Sequence, residues 1–325
     1  MNVKTKRKIK LIFYPFYILY RDILNKYCMR NAKKLMDKKF YSFFNRHIDW
    51  ENPVDLNEKI NWLKFHADMN EWAQLADKYA VREYVTGHGL SDILVPLYGK
   101  YDTVQQVLDN WDNLPDEFVL KSNNGCGHLI IVSEKNGGKS AVNKKDLVDE
   151  LTLWLSEKDY GINNGEFHYQ YIKNCIIAEK LLVDDSIKEF SSAPIDYKLH
   201  CCNGKPYICY VSYGRTLTSK GSHKRTGDLY DLDWNERSDL MSEKEDRRLI
   251  PRPENWERML EIAEILSEDH PQTRIDLYNI DGAIYFGEIT MTNASGFDTE
   301  FKQELLTAMG KEINLDLTMR ENIFA

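Results

Sequence analysis

Arg274-Ile275-Asp276-Leu277-Tyr278-Asn279-Ile280-Asp281-Gly282-Ala283-Ile284-Tyr285-Phe286-Gly287-Glu288-Ile289-Thr290 alternates apolar and polar side chains on either side of an Asp-Gly pair. That is the pattern of a β-hairpin with one face in a core. Successive residues of a strand point to opposite faces, so Arg274, Asp276 and Tyr278 share a face of the first strand, and Glu288 and Thr290 share a face of the second. The loop decides whether these faces coincide. A two-residue turn at Asp281-Gly282 pairs Ile280 with Ala283, sets Ile275 opposite Glu288 and puts the two carboxylates on opposite faces. A three-residue loop, Ile280 to Gly282, pairs Asn279 with Ala283, sets Arg274 opposite Glu288 and leaves Asp276 diagonal to it. In that second arrangement the carboxylates can bracket magnesium, which takes one or two carboxylates besides phosphate oxygens and water. The plainer reading is an Arg274–Glu288 surface pair beside a solvated Asp276.

Working outward, Phe118 to Lys121 and Leu129 to Val132 read as a hairpin around a glycine-containing connection, and Tyr197 to Cys202 with Pro206 to Ser212 as another around Asn203-Gly204. Val95 to Gly99 and Ile176 to Val183 are further strand signals. Asp55 with Glu58 three residues later imitates a capping box opening a helix on Leu56, Ile60 and Leu63. Helical spacing also predicts a helix over 71–86, a second over 144–157 and a third from Trp256 to Glu268. Hairpins mixed with helices make an α+β chain.

At 325 residues the chain suits about two domains with cores that need no disulfide staples. Cysteines at 28, 126, 175, 201, 202 and 209 show no C-x-x-C spacing and read as reduced thiols. The longest apolar run, Leu11 to Tyr20, contains Pro15 and is followed by Arg21 and Asp22, which fits neither a membrane span nor a cleaved leader. Cytoplasm is the default expectation. Charge is uneven: residues 1–48 hold 13 Lys and Arg against two acids, net +11, whereas residues 49–325 carry net −19. Two readings of this basic stretch stay open. Residues 1–25 lie peripherally on an anionic membrane, or a helix docks on the core with a solvated basic face. The acidic remainder repels phosphate backbones, which argues against a nucleic-acid partner.

Lys121-Ser122-Asn123-Asn124-Gly125-Cys126-Gly127 sets a lysine at a strand end before a glycine loop. Backbone N–H groups and one charge can there approach phosphate oxygens, although a plain turn loop reads the same way. Gly138-Lys139-Ser140 has the tail of a P-loop, but Ser133 stands where the first glycine belongs, so it is a surface turn. The strand at 176–183 runs into Asp184-Asp185 and offers backbone groups to an adenine edge and carboxylates to a ribose, or is simply a core strand with a polar end.

Taken in order, Leu56-Asn57-Glu58-Lys59-Ile60-Asn61-Trp62-Leu63, Asp77-Lys78-Tyr79-Ala80-Val81-Arg82-Glu83-Tyr84-Val85, Leu114 to Lys121, Asp196-Tyr197-Lys198 and the hairpin from Arg274 to Thr290 resemble the ATP-grasp superfamily. The closer resemblance is to its TupA-like branch, the family of the teichuronopeptide biosynthesis protein, from about Asn52 to Gly310. The resemblance implies an ATP-grasp fold, two α+β halves gripping ATP under a flexible lid. Beyond the basic amphipathic arm over 1–48, the resemblance implies a helical/αβ subdomain over 49–118, the lid over 119–182 and the catalytic subdomain over 183–325.

By position it implies Lys121 on the α/β-phosphates, Lys78 as a second phosphate contact, and Ser122, Asn123, Asn124, Gly125 and Gly127 covering the phosphates. Glu179, Lys180 and Leu181 fall at adenine, Asp184 or Asp185 at the ribose, and Asp276 and Glu288 on magnesium. Lys198, Arg215 and Arg274 fall near the transferred phosphoryl group or the acceptor carboxylate. The family's glutamate-x-asparagine metal pair reads Glu288-x-Thr290 here, with Asn293 three residues on, so Thr290 or Asn293 takes the third ligand's place. Asn124 occupies the usual lid histidine position, which leaves His128 without a catalytic role.

The implied activity is ATP-dependent carboxylate–amine ligation through an acyl phosphate. The implied partners are a carboxylate-bearing sugar or glycan, such as a uronic acid of a capsular or surface polysaccharide, and an amino acid or amine, handled at the inner face of the cytoplasmic membrane. A kinase or glycan-modifying transferase would use the same nucleotide site, and a membrane-docked scaffold of a polysaccharide assembly complex would keep the fold without turnover.

Overall fold

The computed structural model describes residues 14–125, 127–157, 160–184, 193–214, 216–218, 221–223, 226–242 and 249–318. Helices α1 (Tyr14–Arg30) and α2 (Ala32–Phe44) come first; Met36 and Phe40 of α2 pack with Ile48 and Phe297. Helix α3 (Leu56–Leu63) starts as the sequence predicts. The Asp55 carboxylate accepts from the Glu58 N–H at 2.9 Å and Glu58 accepts back from the Asp55 N–H at 3.4 Å, satisfying two orphan donors.

The single helix expected over 71–86 is two, α4 (Met69–Ala76) and α5 (Val81–Gly87). Asp77 breaks it: its carboxylate accepts from the backbone N–H groups of Tyr79 and Ala80 at 2.7 and 3.2 Å. A short acid side chain here outcompetes the helical ladder.

Strand β1 (Leu97–Tyr101), helix α6 (Val104–Asp109), β2 (Phe118–Ser122), β3 (Leu129–Val132), α7 (Lys144–Ser156) and β4 (Ile176–Glu179) build the first sheet, antiparallel in the order β1-β4-β2-β3. Phe118 and Leu120 enter a core with Val107, Trp111, Leu151 and Trp154, which turns Val119 and Lys121 to the other face.

The second sheet uses β5 (Asp196–Cys202), β6 (Lys205–Tyr213), β9 (Thr226–Tyr230), β10 (Gln272–Ile280) and β11 (Ala283–Thr290), antiparallel in the order β11-β10-β5-β6-β9. A separate ribbon pairs β7 (Thr216–Thr218) with β8 (Gly221–His223). Tyr197, Leu199, Val211, Ile275 and Leu277 pack one face of this sheet on Trp256, Met259, Ile262 and Leu266 of α8 (Trp256–Ser267). Near the other face, α9 (Gln303–Glu312) buries Leu305, Leu306 and Met309 against Leu56 and Ile60.

The β10–β11 hairpin overturns the three-residue loop. Ile280 pairs with Ala283 across a two-residue turn whose residues Asp281 and Gly282 have φ of 50° and 77°, the geometry that matches strand twist. Continued evenly, that register would separate Asp276 from Glu288. A bulge intervenes: Leu277 pairs with Phe286, the next pair is Asp276 with Glu288, and Gly287 has no opposite number. The extra residue flips every face beyond it, so the two carboxylates sit directly opposite each other, and Arg274 pairs with Thr290 rather than Glu288. Glycine is required at the bulge, because a Cβ on residue 287 would lie 2.8 Å from the carbonyl oxygen of Asp276. None of the described helices is long and apolar enough to cross a membrane.

Candidate active site between the sheets

The two sheets line a common cleft of about 450 Å³, within the range of roughly 300–1,000 Å³ usual for small-molecule sites. From the first sheet come Val119, Lys121, Leu129 and Ile131, joined by Lys78, Arg82, Gly125 and Gly127. Buried Glu179 organises them. Its carboxylate takes Lys121 Nζ at 2.8 Å on one oxygen and Arg82 Nη1 at 3.2 Å on the other, while Arg82 Nη2 also donates to the Val95 carbonyl at 2.9 Å. Lys78 Nζ donates to the Gly125 carbonyl and so ties the break after α4 to the glycine loop.

Other expected nucleotide residues are placed differently. The side chains of Ser122, Asn123 and Asn124 are buried: Ser122 Oγ donates to Asn124 Oδ1 at 2.6 Å, Asn123 Nδ2 to Asp77 at 2.7 Å, and Asn124 Nδ2 to Asn174 at 3.0 Å. They brace the loop from behind, leaving Gly125 and Gly127 on the cleft. Lys180 and Leu181 line its end with Leu182, and the Lys180 N–H is engaged by the Pro96 carbonyl at 2.9 Å. Asp184 is buried outside the cleft lining. Asp185 and Arg215 lie outside the described residues.

The floor of the cleft belongs to the second sheet, where Asp196, Lys198, Arg274, Asp276 and Glu288 project from neighbouring strands. Arg274 Nε and Nη2 grip Asp276 at 2.7 and 2.8 Å, and Nη2 also reaches Glu288 at 3.0 Å. Lys198 pairs with Asp276 and, at 3.2 Å, with Asp196. Burial opposes the charge on Asp276, but Arg274 and Lys198 outweigh it and hold the carboxyl well below the usual range. For Arg274, burial is likewise outweighed by Asp276 and then Glu288, whereas for Lys198 burial prevails and lowers its affinity for a proton.

Thr290 Oγ1 lies 3.4 Å from Glu288 Oε1. Asn293 is committed elsewhere: its Oδ1 accepts from Arg274 Nη1 at 2.6 Å and its Nδ2 donates to Asp298 at 2.8 Å. Asp276 and Glu288 therefore come together, directly opposite rather than diagonal and by way of the bulge rather than a three-residue loop, and Asn293 contacts them through Arg274.

Several residues of the site escaped sequence reasoning. A smaller pocket of about 190 Å³ shares Lys198 and Arg274 with the cleft and continues beneath His200, Tyr210, Asn293 and Phe301. Burial, with Arg274 adding to it, pushes the His200 imidazole down to about 3, so it is neutral at physiological pH. The turn that places Asn293 is strained, with Ala294, Ser295 and Gly296 at φ of 46°, 53° and 67°. Buried Lys64 and Asn61 hold it, donating to the Ser295 and Gly296 carbonyls at 2.8 and 2.7 Å. The alternation Asp196-x-Lys198-x-His200 was the readable signal for the floor; nothing local marked Lys64.

A family model described as TupA-like ATPgrasp matches residues 58–314. Among solved structures, the D-alanine–D-alanine ligase from Bacillus anthracis is 16% identical over 79% of this chain and 72% of that one, with a TM-score of 0.44. The D-cycloserine synthetase DcsG is 15% identical over 77% and 73%, with a TM-score of 0.45. An L-amino acid ligase from Bacillus licheniformis is 13% identical over 82% of this chain and 56% of that one, also with a TM-score of 0.45. No curated protein sequence matches the chain.

Proposed function

The chain belongs to the TupA-like ATP-grasp family, and from that premise we propose that it is an ATP-dependent carboxylate–amine ligase whose acceptor is a uronic acid or similar carboxylate of a surface polysaccharide. One observation carries the reading: Lys121, at the end of β2, shares a cleft with a charge-paired floor on which Asp276 and Glu288 stand directly opposite each other.

The two carboxylates are of the type magnesium takes, and to reach Asp276 the ion would replace the Arg274 and Lys198 contacts that occupy both its oxygens here. Among the described residues no three His, Cys, Asp or Glu side chains converge on one point, and an ion held by two carboxylates would take its remaining ligands from phosphate oxygens and water. Magnesium bound there would neutralise the transferred phosphoryl group.

In this reading Lys121 and Lys78 meet the nucleotide phosphates, and the Glu179 tether aims Lys121 into the cleft. The backbone around Lys180 and Leu181 receives the adenine. The acceptor carboxylate lies against Arg274 and Lys198, where the two pockets join, and the body of the sugar fills the smaller pocket against Tyr210 and Phe301. A carboxylate oxygen attacks the γ-phosphorus and ADP leaves. An amine then attacks the acyl carbon, loses a proton and expels phosphate, giving the amide. The lid keeps water from hydrolysing the acyl phosphate.

Oxygen-18 in the carboxylate of a uronic acid tests this directly. Incubated with ATP, magnesium and candidate amines, the enzyme should pass one labelled oxygen to inorganic phosphate for each amide formed. ADP without phosphate release would indicate a kinase, and no nucleotide turnover with any acceptor would favour the scaffold.

A further inference from the structure

Helix α1 meets the rest of the chain along one side. Tyr14 donates to the Ser156 carbonyl at 3.2 Å and Cys28 Sγ lies 3.6 Å from Asn163 Oδ1, while Arg21, Leu24 and Asn25 on the same side are partly covered. The face turned away is the apolar one. Phe16, Leu19, Tyr20, Ile23 and Tyr27 recur at i, i+3, i+4, i+7 and i+11, and each is between 56% and 74% exposed. A helix packed on a water-soluble domain ordinarily turns such a stripe toward the core. Single exposed apolar residues need no explanation, but a continuous stripe of them marks a contact surface.

Charge selects what covers it. Lys26, Arg30, Lys33, Lys34 and Lys38 are exposed along and just beyond the stripe, and Asp22 is the one exposed acid between residues 14 and 40. Stripe against stripe, two copies of the chain would bring net-positive arms together, which opposes a dimer through this face. An anionic bilayer accepts both features at once. The apolar side chains enter the headgroup boundary, the cations meet lipid phosphates, and the acidic body stays in water.

We propose that α1 docks this protein on a membrane surface rich in anionic lipid, lying in the interface plane with Phe16, Leu19, Tyr20, Ile23 and Tyr27 toward the acyl chains. The proposal does not depend on the ligase reading.

Cosedimentation of the full chain with phosphatidylcholine vesicles, with and without about 30% phosphatidylglycerol, tests it. The wild type should bind the phosphatidylglycerol vesicles, lose that binding as salt rises, and ignore pure phosphatidylcholine. A Leu19→Glu, Ile23→Glu variant should bind at least about tenfold more weakly with its thermal midpoint unchanged. A Lys26→Glu, Arg30→Glu, Lys33→Glu variant, which leaves the stripe untouched, should lose the preference for anionic lipid. The proposal is overturned if wild type does not bind the anionic vesicles, or if both variants bind as wild type does. It is equally overturned if the wild type is a dimer that Leu19→Glu, Ile23→Glu turns into a monomer, since the stripe would then belong to a second copy.

Discussion

The two charged clusters lining the cleft are built on opposite terms. On the first sheet, Glu179 holds Lys121 and, from α5, Arg82, whose side chains keep 29% and 18% of their exposure. On the floor, Asp276 holds Arg274 and Lys198, reduced to 13% and 7%. A lysine that keeps part of its exposure can exchange a carboxylate for a phosphate at lower desolvation cost, because water still reaches it in either state. Asp276, Arg274 and Lys198 have no such freedom, since each depends on its neighbours for the solvation it has lost. The first cluster is suited to receiving a variable ligand, and the floor to presenting fixed charges to a transition state.

The contrast is easiest to break at Asp276. Asp276→Asn strands two buried cations and should cost about 3–5 kcal/mol in urea unfolding; a loss below about 1 kcal/mol would mean that the floor is as solvated as the Glu179 cluster. Gly287→Ala comes next. Its Cβ would press on the Asp276 carbonyl at 2.8 Å, which should cost about 1–3 kcal/mol and lower ATP turnover by disturbing the carboxylate pairing. Unchanged turnover would separate the bulge from the chemistry.

In the first cluster, Glu179→Gln should cost only about 1 kcal/mol, because both cations still reach water. It should nonetheless weaken ATP binding several-fold by freeing Lys121. A stability loss matching that of Asp276→Asn would erase the distinction between the clusters.

A further effect is visible only in acid. Burial holds His200 at about 3 in the folded protein, against about 6.5 in an unfolded chain. Between these values the unfolded state binds the extra proton, so stability contributed by the neutral imidazole is present above about pH 6.5 and drains away as pH falls toward 3. Urea midpoints for His200→Gln should decline less steeply over that window.

Much of the fold was legible. Alternation marked the hairpins, and Asp55 with Glu58 marked α3. Asp276 and Glu288 were readable as a pair because both stand in strands of obvious period. Their register was not. The Asp281-Gly282 turn is what the sequence would favour for a tight hairpin, and the bulge that restores the pairing hangs on Gly287, an isolated glycine inside a strand. The helix break at Asp77 was hidden because the apolar spacing runs on through it, while a carboxylate competing for two N–H groups leaves no periodic trace. Lys64, Asn61, Tyr210 and Phe301 reach the site through tertiary packing, and no local pattern announces that.

The central claim is that Asp276 and Glu288 form a magnesium–nucleotide floor, and calorimetric titration of ATP tests it without knowledge of the acceptor. Glu288 is the residue to change, since its side chain is 41% exposed and glutamine there should leave the fold intact. The account predicts that the wild type binds ATP more tightly with magnesium than with chelator, and that Glu288→Gln loses at least about tenfold of that gain, the factor that about 1.4 kcal/mol represents. A folded wild type whose ATP binding ignores magnesium, or a variant that keeps the full gain, would contradict it.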